Sequence, residues 1–222
     1  MPTREFDAVV VGAGPAGYVC AIRLAQLGKS VAVVERDALG GCCLNVGCIP
    51  SKALIAAGSF FDRLKRAGEM GIEVGAARLD LARMVAWKDG IVSKLTGGIG
   101  SLFKHHRIEA VKGTATLRSR SEVEVKGASG TETLRAGAIV LATGSEPIPL
   151  PAFPWSEEVW SSTEALAPRE VPKRLLVIGG GYIGLELGTF FAKVGSQVTV
   201  VEMTGGLLPG TDGDLTAVVA RN

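Results

Sequence analysis

Thiols and imidazoles are scarce in this chain of 222 residues, which has only four cysteines and two histidines. A structural zinc site takes four ligands, usually closely spaced cysteine pairs with partners elsewhere. Here Cys43 and Cys48 form one spaced pair, and only Cys20, Cys42 and the adjacent His105 and His106 remain, so no metal site is expected. Charge of one sign is lacking as well. The formal net charge is +2, with Lys and Arg scattered, which leaves no basic footprint for nucleic acid. No uninterrupted apolar run approaches the ~18 residues that a membrane-spanning helix needs. The opening Met1-Pro2-Thr3-Arg4-Glu5-Phe6-Asp7 is polar, unlike a secretory signal. Together these absences lead us to expect a cytoplasmic chain with no nucleic-acid or membrane partner. Thiols stay reduced in that setting, so a purely structural disulfide is not expected either.

What is present supports a folded core. Hydrophobic residues make up 47% and charged residues 21%, a balance that suits one or two globular domains. The stretch Gly40-Gly41-Cys42-Cys43-Leu44-Asn45-Val46-Gly47-Cys48-Ile49-Pro50-Ser51-Lys52 holds three of the four cysteines. Spacing alone leaves two readings of Cys43 and Cys48: a redox-active dithiol, or buried unpaired cysteines. The motifs on either side favour the dithiol.

Ala8 to Val11 is a short apolar run, followed by Gly12-Ala13-Gly14-Pro15-Ala16-Gly17, a helical stretch from Tyr18 to Leu27, and Val31 to Glu35. This is the strand, glycine turn, helix and strand of a dinucleotide-binding unit. Gly12 makes the turn, Gly14 admits a pyrophosphate to the backbone, Gly17 lets the helix pack on the strand, and Glu35 can accept from ribose hydroxyls. The helix N-terminus offers N–H groups and a positive dipole end to the phosphates. The same unit recurs. Leu175 to Ile178 leads into Gly179-Gly180-Gly181-Tyr182-Ile183-Gly184, a helix to Val194, then Val198 to Glu202. The segments Gly12–Glu35 and Gly179–Glu202 are equally long and align without a gap. Two such units imply two dinucleotides, or else a duplication kept for structure alone. At the second, the charge of Glu202 repels a 2′-phosphate, which points to NAD rather than NADP.

Between the copies, Pro50 to about Ala57 reads as a helix, as do Phe60 to Ala67 and Leu79 to Leu102. Glycines 68, 71, 75, 97, 98 and 100 read as breaks. Met84, Trp87 and Phe103 are expected in the core, and Cys20 is expected buried and inert. Ile108 to Leu134 alternates like a small antiparallel meander. Ala138 to Ala142 reads as a separate buried strand that ends in Thr143-Gly144-Ser145. The proline-rich run Pro147 to Pro154 reads as the link between domains at 1–147 and 148–222. The fold class is α/β: two Rossmann-like dinucleotide-binding domains, the second partial, with a small antiparallel meander.

These motifs resemble the N-terminal part of a pyridine nucleotide–disulfide oxidoreductase over essentially the whole chain. The Cys-Leu-Asn-Val-Gly-Cys-Ile-Pro-Ser-Lys wording is nearest the dihydrolipoamide dehydrogenase branch, with glutathione- and mercuric-type reductases as the rivals. The resemblance implies FAD at the first unit and NAD at the second. Electrons would pass between NAD and a dithiol such as dihydrolipoamide through FAD and a Cys43–Cys48 disulfide. Cys48 would lie against the flavin as a thiolate, and Cys43 would exchange with substrate. It further implies Lys52 beside the flavin ring and paired with Glu186. Flavin contacts would come from Gly12, Gly14, Pro15, Ala16, Gly17, Glu35, Gly41, Cys42, Ala115, Thr143, Gly144 and Ser145. NAD contacts would come from Gly179, Gly181, Tyr182, Ile183, Gly184 and Glu202. The full-length form would be a homodimer, possibly within a 2-oxo acid dehydrogenase complex. Lys52 and Glu186 can also be read as two solvated surface charges.

Cys42 departs from the family pattern, which usually has Thr there, and reads as a small polar substitute near the flavin phosphates. The family's acid–base His–Glu pair lies beyond the part resembled. His105 and His106, in a charged helix end, are no stand-in. A truncated, non-catalytic flavin-binding module therefore stands as an alternative.

Overall fold

The computed structural model describes residues 2–221. It divides into two compact units, Met1–Ile49 with Gly90–Glu146, and Pro50–Asp89 with Pro147–Asn222. The last of the three changes of unit, at Glu146, falls where the proline-rich run begins. The helical segment 50–89 packs with the later residues.

In the first unit, β1 (Thr3–Val11), α1 (Pro15–Gln26) and β2 (Val31–Glu35) form the expected strand, helix and strand. They are followed by α2 (Gly41–Val46) and the start of α3 (Cys48–Lys65). The unit resumes within α4 (Leu81–His105) and continues through β3 (Glu109–Lys112), β4 (Thr114–Leu117), β5 (Glu122–Gly127) and β6 (Gly130–Leu141). All six strands make one sheet in the order β3-β2-β1-β6-β5-β4. β3, β2, β1 and β6 run parallel, and β5 and β4 continue antiparallel.

The sheet is apolar where Ala8–Val11 of β1 lies between Val31–Val34 of β2 and Ala138–Leu141 of β6, and polar residues occupy the early halves of β1 and β6. Alternate residues feed two cores. Val10, Val31 and Val33 pack with Ala21, Leu44, Ile99 and Phe103 on one face, while Val9, Ala32 and Val34 pack with Val111, Val123 and Leu134 on the other. The meander is thus not a separate element. β3 joins the parallel sheet beside β2, and the strand expected at 138–142 is the far half of β6, not buried as expected: Ala138 and Leu141 are exposed, and Ile139 and Val140 are half-buried. The small residues Ala136, Gly137 and Ala138 let β6 run unbroken beside β1, where Phe6 pairs with Ala136 and Ala8 with Ala138.

The second unit holds α5 (Ser162–Ala165), β7 (Arg174–Ile178), α6 (Tyr182–Val194), β8 (Gln197–Val201) and α7 (Gly213–Ala220). β7 and β8 pair in parallel. Its core is Leu54, Leu166, Leu187, Phe190, Phe191 and Val194. The stretch Gly41–Lys65 would pass for a membrane span by length and composition alone. Within the second unit, however, its fully buried Leu54 packs in the α6 core.

Other expectations fail. Glycines 97, 98 and 100 do not break α4, and the two helices expected at 50–57 and 60–67 are one, α3. An interior glycine costs a helix about 1 kcal/mol, which the buried anchors Ile99 and Phe103 can outweigh. Trp87 is 51% exposed, whereas Phe103 is 2% exposed and Met84 only partly buried. Trp87 shares a shallow apolar depression with Ala56, Ala57, Phe60 and Met84. Cys20 is half-buried on α1, not sealed in the core.

Candidate functional site

Gly12 takes φ of +101°, and a Cβ there would sit 2.1 Å from the Ala142 carbonyl oxygen. A Cβ on Gly17 would lie 1.9 Å from the Gly12 carbonyl oxygen, so no side chain fits between turn and helix. The close approach of Ala142 brings Thr143 beside Gly12, followed by Gly144 at φ +75° and then Ser145. Gly14 caps α1 with no side-chain oxygen, and Pro15, which has no N–H, opens the first turn. The N–H groups of Ala16 and Gly17 are left at a positive helix end. Pro15 and Ala16 are exposed. This is a cradle shaped for a pyrophosphate, and the residues present fit FAD in that respect.

Glu35 braces the cradle. Its carboxylate accepts the Ala13 N–H at 2.7 Å and the Asp37 N–H at 2.8 Å. Gly40, at φ +96°, donates its N–H to the Ala13 carbonyl at 2.9 Å. Gly41 then presses on Gly14, where a Cβ on Gly41 would lie 2.6 Å from the Gly14 Cα. Asn45 donates from its side-chain amide to the carbonyls of Leu39 at 3.0 Å and Gly41 at 2.9 Å. Asn45 thereby ties down the loop that carries the cysteines. In the sequence Asn45 carries no sign of this role, because a polar residue inside an apolar run has no periodic signal. Ala115 sits on β4 opposite Val125, and its side chain joins the core on that face.

Cys43 on α2 and Cys48 at the start of α3 are held close across the tight Gly47 turn. Both are thiols in this structure. The Cys43 thiol is pushed up from 9.0 to about 11, first by burial, then by its hydrogen bond to the Cys48 side chain and by the charge there. The Cys48 backbone N–H, which donates to the Cys43 sulfur, pulls the other way. Cys42 is exposed and adds a smaller upward push. A Cβ on Gly47 would lie 2.9 Å from the Cys42 carbonyl oxygen, which shows how tightly the turn is drawn.

The second unit repeats the cradle. Gly179 takes φ of +105°, and Gly181 caps α6 with no side-chain bond. Nothing lies within 4 Å of a Cβ built on Gly181, and Tyr182 and Ile183 are exposed on the first turn. A Cβ on Gly184 would come 2.5 Å from the Gly179 carbonyl oxygen. Glu202 accepts the Gly180 N–H at 2.7 Å and the Thr204 N–H at 2.7 Å. These bonds, Thr204 foremost, hold its carboxyl below the usual range. No Lys or Arg occurs between Met203 and Ala220.

Lys52 and Glu186 meet, both within the second unit. The Lys52 Nζ lies 2.7 Å from one Glu186 carboxylate oxygen and 2.6 Å from the other. The pair is not buried, with side chains 58% and 34% exposed. Cys48 and Lys52 share α3, one turn apart. His105 is exposed at the last residue of α4, so the solvated helix end is found.

Residues 6–222 match the family model described as pyridine nucleotide-disulphide oxidoreductase. A dihydrolipoyl dehydrogenase of Bacillus subtilis is 47% identical over 217 residues, covering 98% of this chain and 46% of that protein. A dihydrolipoyl dehydrogenase of Pseudomonas aeruginosa is 48% identical over 217 residues, covering 96% and 47%. The solved Cu(II) complex of the HOCl-induced flavoprotein disulfide reductase RclA from Escherichia coli superposes with a TM-score of 0.81 at 29% identity, covering 98% of this chain and 47% of that one. The chain spans about half the length of the curated relatives it matches. With two dinucleotide cradles and a dithiol hairpin between them in sequence, the chain belongs to the pyridine nucleotide-disulphide oxidoreductase family.

Proposed function

We propose that this chain is the electron-relay part of an FAD- and NAD-linked oxidoreductase that acts on a small dithiol of the dihydrolipoamide class. The observation that carries the reading is the Cys43–Cys48 thiol pair, linked by hydrogen bonds across the Gly47 turn and directly following the braced glycine cradle. FAD, when bound, supplies a two-electron carrier between the dithiol and NAD. The chain's own part is thiol exchange. With Cys43 and Cys48 joined, a substrate thiolate attacks the Cys43 sulfur, forming a mixed disulfide and releasing Cys48 as a thiolate. The second substrate thiolate then attacks the substrate sulfur bound to Cys43. The substrate leaves as a disulfide, and Cys43 leaves as a thiolate that takes up a proton.

Gly12, Gly14, Gly17, Gly41 and Thr143 to Ser145 are proposed to hold the FAD phosphates, with Glu35 at the ribose. Cys42 stands at the same rim. Gly179 to Gly184 are proposed to hold NAD, with Glu202 at its ribose. The carboxylate of Glu202, with no basic residue after it for a turn and a helix, favours NAD over NADP. Lys52, oriented by Glu186, is proposed to face the flavin ring. Similarity to dihydrolipoyl dehydrogenases supports a dithiol substrate, and the whole protein is proposed to be a homodimer.

One observation favours the non-catalytic module instead. Burial and the Cys48 side chain push the Cys43 thiol up to about 11, which opposes the thiolate that exchange requires. The deciding experiment is an absorbance spectrum of the purified protein after FAD loading, followed by anaerobic dihydrolipoamide. A flavin spectrum that gains a long-wavelength band on reduction, with NAD restoring the oxidised form, is expected. A flavin spectrum that never responds to any dithiol overturns the proposal in favour of the module.

A further inference from the structure

An exposed ion pair such as Lys52–Glu186 cannot hold a lysine still by itself, because solvent screens it and the side chains pay entropy to stay together. Something else must fix where the Lys52 ammonium points. The contacts between α3 and α6, all within the second unit, identify it.

Lys52 meets Glu186 at the start of the contact. Roughly two turns further along each helix, the Lys193 Nζ donates to the Ser59 Oγ at 2.9 Å. Lys65 then donates its Nζ to the Lys193 carbonyl at 2.8 Å, satisfying an end carbonyl of α6. Between the polar ties, Gly58 faces Phe190, and a Cβ on Gly58 would stand 2.9 Å from the Phe190 Cδ2. Phe190 cannot retreat. It is fully buried and packs edge-on against Phe191, with ring centroids 5.1 Å apart. The two helices therefore run side by side in one register, set by a missing side chain and stapled by Ser59 and Lys193.

We propose that Gly58, Ser59 and Lys193 are positioning residues, which act through Lys52 and Glu186 to set the electrostatics of the dithiol–flavin centre. They touch neither substrate nor flavin. Their role is to keep α3 at the distance and rotation from α6 at which Glu186 grips Lys52. This rests on the reading of Lys52 as a neighbour of the flavin.

The test uses the FAD-loaded, dithiol-reduced protein and follows the long-wavelength band of the Cys48 thiolate as a function of pH. A nearby ammonium favours the thiolate, so Lys52→Met is expected to move the midpoint to higher pH. Ser59→Ala and Gly58→Ala are expected to move it in the same direction by a smaller amount, about a threefold change in thiolate population at fixed pH, corresponding to about half a pH unit. Ser59→Thr, which keeps the hydroxyl, is expected to restore the native midpoint. A residue of merely structural importance would change melting and leave the midpoint alone. Should Gly58→Ala fail to fold, Ser59→Ala carries the test. A native midpoint in Ser59→Ala, alongside a moved midpoint in Lys52→Met, overturns the inference and leaves the proposed function standing. An unmoved midpoint in Lys52→Met overturns the placement of Lys52 and the inference with it.

Discussion

Glu202 does for Gly180 what Glu35 does for Ala13: each carboxylate accepts the backbone N–H just after the first glycine of its turn, at 2.7 Å. The likeness extends beyond the aligned motifs. Gly40 donates to the Ala13 carbonyl and Leu208 to the Gly180 carbonyl, both at 2.9 Å and both with positive φ. Beyond that point the copies part. The first enters α2 with Cys43, and the second enters Pro209, Gly210 and then α7, so the redox hairpin belongs to one copy only.

The pH dependence of the second brace follows from its hydrogen bonds. Glu202 has a folded pKa below its ordinary 4.5. Its contribution is therefore present above about 4.5 and is lost as pH falls through the lowered folded value. Amide hydrogen exchange at Gly180 and Thr204, corrected for intrinsic rates, is expected to accelerate across that acid window. In Glu202→Gln the acceleration in the window should vanish. Protection that stays flat with pH in the native protein would show that the carboxylate does not brace the turn.

The glycine turns are legible in the sequence because each glycine answers a steric demand and the spacing to the acid is fixed by one helix and one strand, whereas the bracing of each turn by Glu35 and Glu202 appears only in the structure. Lys52 and Glu186 were paired by resemblance, and their meeting distance is a property of α3 packed on α6. Less could be seen in the glycines of α4. Gly97, Gly98 and Gly100 look like breaks when propensity alone is weighed, and Ile99 among them and Phe103 one turn on hold the helix through tertiary burial. β6 was divided in two for the opposite reason. Its early half alternates beside β5 and its late half is continuously apolar beside β1, so one strand carries two patterns.

Phe103 and Trp87 were both expected in the core, and only Phe103 is there. Phe103→Ala should cost about 3–5 kcal/mol in denaturant unfolding, through cavity formation. Trp87→Ser should stay within about 0.5 kcal/mol. Equal losses from the two substitutions would place Trp87 in a core contact after all.

Gly17 and Gly181 separate fold from binding. Gly17→Ala drives a methyl into the Gly12 carbonyl and is expected to destabilise by about 3 kcal/mol or more. A methyl on Gly181 meets nothing within 4 Å. Gly181→Ala should then cost no more than about 1 kcal/mol as an altered N-cap, while it fills the space a pyrophosphate needs. Thermal unfolding and NAD titration together check this. Tight NAD binding by Gly181→Ala would remove the second cradle from the proposed site.

Cys43 offers the most direct probe of the dithiol. At about 11, its pKa stands about two units above the ordinary 9.0, so its thiolate is about a hundredfold scarcer at neutral pH than that of an unperturbed cysteine. Alkylation of reduced protein by iodoacetamide, read by peptide mass spectrometry, should therefore be slow at Cys43 near pH 7.5. Its rate should keep climbing until pH passes about 11. Burial, the foremost cause, survives Cys48→Ser, whereas the bond to the Cys48 sulfur and the repulsion from its charge do not. In that variant the midpoint of Cys43 alkylation should move down, yet stay above 9.0. A midpoint that does not move would mean that burial alone holds the proton. The pair would then be two neighbours in sequence without the coupling that disulfide exchange requires.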